Sequence, residues 1–144
     1  TGYGGGSALI RTSCDSEGRW SQPEPVWTSR TMKTKFTTAV ARGDYVYGLD
    51  DGILQCVDLQ TGKAAWKRGR YGHGQLLLVD DLLLIQSERG DVVLVEANPS
   101  KLVELARVPV LDGKTWNCPA LAGRYFVTRN DHQAVCLELP LAAD

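Results

Sequence analysis

Apolar residues fall along this chain in short runs, each closed by a turn containing Gly, Asp or Asn, and no stretch keeps a convincing helical period. Three segments can be laid over one another. Residues 36–58 overlie residues 74–96 without a gap, a shift of 38, and residues 123–138 overlie residues 81–96 with a shift of 42. Each copy predicts the same order. A first short strand (Ala39-Val40, Leu77-Leu78, Ala120-Leu121) is followed by a turn and a second strand (Tyr45-Val46-Tyr47, Leu83-Leu84-Ile85, Tyr125-Phe126-Val127). A polar turn then leads to a third strand: Asp50-Asp51-Gly52 to Leu54-Gln55-Cys56-Val57, Glu88-Arg89-Gly90 to Val92-Val93-Leu94-Val95, and Asn130-Asp131-His132 to Ala134-Val135-Cys136-Leu137. A fourth strand follows in two copies, over residues 64–67 and 102–108. The second of these, Leu-Val-Glu-Leu-Ala-Arg-Val, could also wind into two helical turns, but its place in the repeat favours a strand.

Ahead of the first full copy, residues 1–7 are glycine-rich and predict a loop, residues 8–13 alternate like a strand, and Asp15-Ser16-Glu17-Gly18 supplies a turn. Two prolines between Ser21 and Pro25 predict irregular backbone or the entry of an edge strand, with a strand led by Trp27 over residues 26–29. Trp27 and Trp66 are 39 residues apart, so this opening section supplies the last strands of a preceding copy.

Repeats of about 40 residues with four short strands each point to an all-β β-propeller fragment of about three to four four-stranded antiparallel blades. The divisions are residues 1–35 for the N-terminal strands of an incomplete blade, 36–73 and 74–115 for two blades, and 116–144 for a three-stranded C-terminal blade. Such an arc is too short to close a ring. It is expected to close by self-association, as a homo-oligomer, or as part of a longer propeller, because open blade faces and strand edges favour association.

The stretch Cys56-Val57-Asp58-Leu59-Gln60-Thr61-Gly62-Lys63-Ala64-Ala65-Trp66 reads as a hairpin whose turn needs the positive φ of Gly62 and the side-chain acceptors of Asp58 and Thr61. It resembles the tryptophan-docking motif of pyrroloquinoline-quinone-like (PQQ-like) propeller repeats, in which a small residue, Asp, Thr-Gly-Lys and Trp hold these spacings. The resemblance covers roughly residues 26–140. Only this copy matches in full. The next keeps Glu96 and Lys101 but has Pro99-Ser100 and Glu104 where Thr-Gly and Trp would stand. The resemblance implies that Asp58, Thr61, Gly62, Lys63, Trp66 and Trp27 are structural, with Trp66 docked between blades. Similar repeats in exported scaffold proteins imply an extracytoplasmic setting.

Composition changes this picture little. The 144 residues are 43% hydrophobic and 23% charged with a net charge of -1, which gives no global reason to expect a nucleic-acid partner. No apolar run approaches the ~20 residues of a membrane-spanning helix. The chain opens Thr-Gly-Tyr rather than with Met, which suggests a processed or partial sequence. Cys14, Cys56, Cys118 and Cys136 lack metal-ligand spacing, so no metal site is expected. Cys56 and Cys136 fall in apolar strand runs and predict buried free thiols. His73 and His132 stand alone.

Candidate chemistry lies in the connections between repeats, which in propellers gather on one face. Residues 31–36, 67–74 and 112–117 all carry cations and an aromatic ring: Lys33, Lys35, Lys67, Arg68, Arg70, Tyr71, His73, Lys114 and Trp116. Their convergence predicts a positive field for an anionic ligand or acidic protein partner, with Tyr71 and Trp116 as stacking faces. The alternative expectation is ordinary solvated turns. Asp50-Asp51 and Asp80-Asp81 read as hairpin residues. No Ser/His/Asp or Cys/His set is suggested, so no catalytic residue is assigned. The chain is expected to be a non-catalytic binding or scaffolding module that needs no cofactor. The resemblance also allows a fragment of a quinone-dependent dehydrogenase, with PQQ and calcium, although the adjacent cysteines many of those enzymes carry are absent here. A third possibility it allows is an anion-binding sensor propeller.

Overall fold

The computed structural model describes residues 2–140. Within them the chain forms 13 strands and no helix, in four antiparallel sheets of two, four, four and three strands. The first sheet pairs β1 (Ser7–Arg11) with β2 (Glu24–Ser29). The second runs β3 (Val40–Arg42), β4 (Tyr45–Asp50), β5 (Ile53–Asp58) and β6 (Ala64–Arg70), in that spatial order. The third runs β7 (Gln75–Val79), β8 (Leu82–Gln86), β9 (Asp91–Glu96) and β10 (Glu104–Pro109). The fourth holds β11 (Ala120–Ala122), β12 (Tyr125–Arg129) and β13 (Ala134–Glu138). Every sheet is therefore a simple up-and-down meander of sequence neighbours, the arrangement short polar turns enforce.

Three strand expectations differ from this structure. The proline-bearing segment takes the edge-entry form, two residues earlier than the strand expected from residue 26: β2 starts at Glu24 and takes in Pro25, which opposes Ile10 beside a register shift at Leu9/Ile10 where its missing N–H is tolerated. The strand at residues 64–67 continues to Arg70, so Arg68 and Arg70 belong with Lys67 to β6 and not to a loop. The ambiguous Leu102–Val108 stretch contributes β10, which begins two residues later, because β9 offers it an edge to pair with.

The third sheet shows why its strands read as unbroken apolar runs. On β7, β8 and β9, Leu76, Leu78, Leu83, Ile85, Val93 and Val95 face the second sheet and join Tyr47, Leu49, Leu54, Cys56 and Trp66 in the larger core. Their alternates Leu77, Leu84, Val92 and Leu94 face the fourth sheet, packing with Phe126, Leu121 and Leu137. Period-two alternation with both faces covered leaves no polar position in the middle of a strand. The end sheets have one covered face each. Ile10 and Val26 on the first sheet, and Tyr125 and Val127 on the fourth, remain exposed. Cys136, in register with Val127, lies on that open face and is exposed, as are Cys14 and Cys118, while Cys56 is buried. The expectation of a buried Cys136 fails because no further sheet among the described residues covers its side of β13.

Candidate functional site

The hairpin between β5 and β6 is closed locally. Asp58 Oδ1 accepts from the Thr61 amide at 2.8 Å and from its hydroxyl at 2.9 Å, and Gly62 turns the chain at φ 68°. These bonds, led by that of the Thr61 amide, hold the Asp58 carboxyl below its usual range. Lys63 donates its amide to Thr61 Oγ1 and accepts from the Asp58 amide at 2.9 Å. A side chain at residue 62 would collide with the Trp27 ring, 2.7 Å from the position of a Cβ. Trp27 sits on this turn and donates from Nε1 to Leu59 O at 2.7 Å. One sheet further on, Trp66, 8% exposed, donates from Nε1 to Asn98 O at 3.0 Å in the β9–β10 connection. Both bonds reach forward 32 residues.

At one end of the sheets the connections β2–β3, β6–β7 and β10–β11 meet. Phe36 packs at 5.9 Å from His73 and at 4.7 Å from Trp116, ring centre to ring centre. Gln75 Nε2 donates to both Phe36 O and Trp116 O, and Gln86 Nε2 donates to Asn117 O. These two buried glutamines fasten the connections, and sequence reasoning passed over them. The only signal was a polar residue at the open end of each apolar run. Gln86 also accepts from Thr128 Oγ1 of the fourth sheet.

The structure brings the predicted cations to this end but answers most of them. Lys33 lies 3.7 Å from Asp50 and 3.5 Å from Asp51, Lys35 lies 3.4 Å from Asp51, and Lys67 lies 2.7 Å from Asp50. Asp50 is only 3% exposed and also accepts from the Lys33 amide. It is more than the hairpin residue expected. Glu88 has the equivalent role one sheet on, accepting from the His73 amide at 3.1 Å and from Trp116 Nε1 at 2.8 Å. Asn130 follows in the fourth sheet, donating to Asp112 O. Burial raises the Glu88 pKa, but the bonds from Trp116 and His73 outweigh it and hold the carboxyl below its usual value.

The uniform positive field is thus replaced by alternating charge. Nor does Tyr71 offer a stacking face. It is 2% exposed, its hydroxyl donates to Glu104 at 2.9 Å, and Arg107 lies 5.4 Å above its ring. Burial pushes its phenol pKa far up. Arg107 is itself held by Glu104 and Asp91, each at 2.9 Å. Trp116 is 40% exposed with Lys114 Nζ 4.2 Å from its ring centre, so that cation is spent on the aromatic face. Arg68 and Arg70 project from β6 with no ion pair among the described residues.

Beside this junction lies a cleft of about 500 Å³ between the ends of the second and third sheets, with Arg70, Tyr71, His73, Glu88, Arg89 and Arg107 in its walls. Among the described residues no group of three or more His, Cys, Asp or Glu side chains converges to hold a metal ion. The acids nearest the junction, Asp50, Asp51 and Glu88, are committed to lysine or N–H donors, which does not fit a calcium-held quinone.

No protein-family profile matches the sequence, and no curated protein sequence matches it. Among solved structures, the computationally designed Ika8 protein superposes with a TM-score of 0.60 at 13% identity, over 83% of this chain and 39% of its own. The chain therefore spans about two fifths of that protein's length. The computationally designed Ika4 protein gives a TM-score of 0.40 at 10% identity, over 76% of this chain and 100% of its own, a likeness that carries no argument. At these identities the similarity to Ika8 is one of fold alone: an all-β chain of successive antiparallel sheets.

Proposed function

We propose that this chain is an arc of a β-propeller built from PQQ-like repeats, and that it works as a non-catalytic binding and scaffolding module. The observation carrying this reading is the pair of forward-reaching indoles. Trp27 and Trp66 each donate to a carbonyl 32 residues on, in the connection of the following sheet. A device repeated from sheet to sheet is what a radial array of blades needs, since each blade can bury its face only against the next. The three boundaries at residues 35/36, 73/74 and 115/116 then separate incomplete, complete, complete and incomplete blades.

Under this reading the function is association. Among the described residues the fourth sheet has no counterpart to β6 or β10, so β13 pairs there only with β12 and leaves an open edge. Exposed Tyr125 and Val127 at one end, with Ile10 and Val26 at the other, add uncovered apolar surface. Copies of the chain, or further blades of a longer polypeptide, would cover both. Size-exclusion chromatography with light scattering tests the first route: a discrete closed oligomer supports it, and a stable monomer across the concentration range rejects self-closure.

A further inference from the structure

The cleft between the second and third sheets carries two guanidinium groups that nothing in the fold uses. Its carboxylates are all engaged. Asp51 pairs with Lys33 and Lys35, Glu88 accepts from Trp116 and His73, and Asp91 holds Arg107 at 2.9 Å. Tyr71 spends its hydroxyl on Glu104. By contrast Arg70, at the end of β6, and Arg89, in the β8–β9 turn, line the same cleft without an ion pair or side-chain hydrogen bond among the described residues. The Ser87 hydroxyl in the same wall, which accepts from the Asp91 amide, keeps its own proton to donate. The unspent capacity of the cleft is therefore that of a hydrogen-bond donor with positive charge.

We propose that this cleft binds a small dianion, a phosphate or dicarboxylate group, clamped between Arg70 and Arg89. Guanidinium presents paired N–H donors that match the oxygens of such groups, and two of them, one carried by each sheet, favour two charges over one. The volume suits a small organic molecule bearing the anion rather than a bare ion alone. Both arginines come from the two four-stranded sheets, so the site stands whether or not the open ends of the chain are covered.

Isothermal titration calorimetry with the full chain at low ionic strength tests this, using malonate and inorganic phosphate as dianions and acetate as the singly charged control. The expected result is saturable binding of malonate, phosphate or both at one site per chain, with acetate weaker by about tenfold or more. Arg70→Gln and Arg89→Gln should each weaken the dianion by about tenfold or more while melting as the parent does, since neither side chain has a partner to lose. Arg68→Gln, on the same strand but outside the cleft, should bind as the parent. Malonate against phosphate separates a carboxylate site from a phosphate site, and either supports the proposal. It is overturned by the absence of saturable heat for both dianions, by unchanged binding in a normally melting Arg70→Gln or Arg89→Gln variant, or by an equal loss in Arg68→Gln.

Discussion

Replacing Trp66 by Ala removes the side chain that joins the second sheet to the third. The indole is 8% exposed, lies 6.3 Å from the Tyr47 ring, and gives its one N–H to Asn98 O. Truncating a core tryptophan costs about 3–5 kcal/mol through lost transfer energy and the cavity left behind. The carbonyl released at Asn98 lies in a connection that water can reach, so it adds little. For a chain of this length each kcal/mol moves the melting temperature by about 2–4 °C, which predicts a fall of roughly 6–20 °C followed by far-ultraviolet circular dichroism. Trp66→Phe keeps most of the apolar ring and loses the hydrogen bond, so about 1–2 kcal/mol is expected from it. Trp20, 69% exposed, provides the contrast: Trp20→Ala should stay within about 0.5 kcal/mol of the parent. If Trp66→Ala melts as Trp20→Ala does, the indole is not a clasp between sheets and the reasoning is wrong.

Two further outcomes can be checked directly. Burial pushes the Cys56 thiol up to about 11, while Cys14, Cys118 and Cys136 are exposed, so a thiol-specific reagent should label three sites in the native protein and the fourth only after denaturation; rapid labelling of all four contradicts the packing of β5. The depressed Glu88 carboxyl contributes stability that is fully present above its ordinary value of 4.5 and is lost as the pH falls through its lower folded value, so Glu88→Gln should flatten the acid limb of melting temperature against pH, and an unchanged slope would show that Trp116 and His73 do not discriminate the charge.

What could be read in advance divides along physical lines. Strand order was legible because Leu76, Leu83 and Val93 alternate with Leu77, Leu84 and Val92 in a sheet covered on both faces, so the apolar pattern and the fold carry the same information. Cys136 was misplaced because burial of one face depends on what lies beyond the last sheet, which local pattern does not encode. The charge at the junction was misjudged for a related reason. Lys33, Lys35 and Lys67 are visible as cations, but Asp50 answers Lys33 and Lys67 from 17 residues away in either direction, and Asp51 beside it answers Lys35. Asp50, Glu88 and Asn130 did stand at one position of the repeat. Their common turn role hid their common reach toward the preceding connection. Arg68 and Arg70 were placed in the connection over residues 67–74, whereas β6 runs through both, carrying Gly69 between them at φ 74°.

The forward direction of the indole bonds has a temporal meaning for a chain made from its N-terminus. Neither Trp27 nor Trp66 can find its carbonyl until 32 more residues have followed it out. At ordinary synthesis rates of about 5–20 residues per second that is roughly 2–6 s during which a finished sheet waits with its aromatic ring unshielded. The second sheet therefore secures the first and the third secures the second, two latches that each close one step behind the growing end.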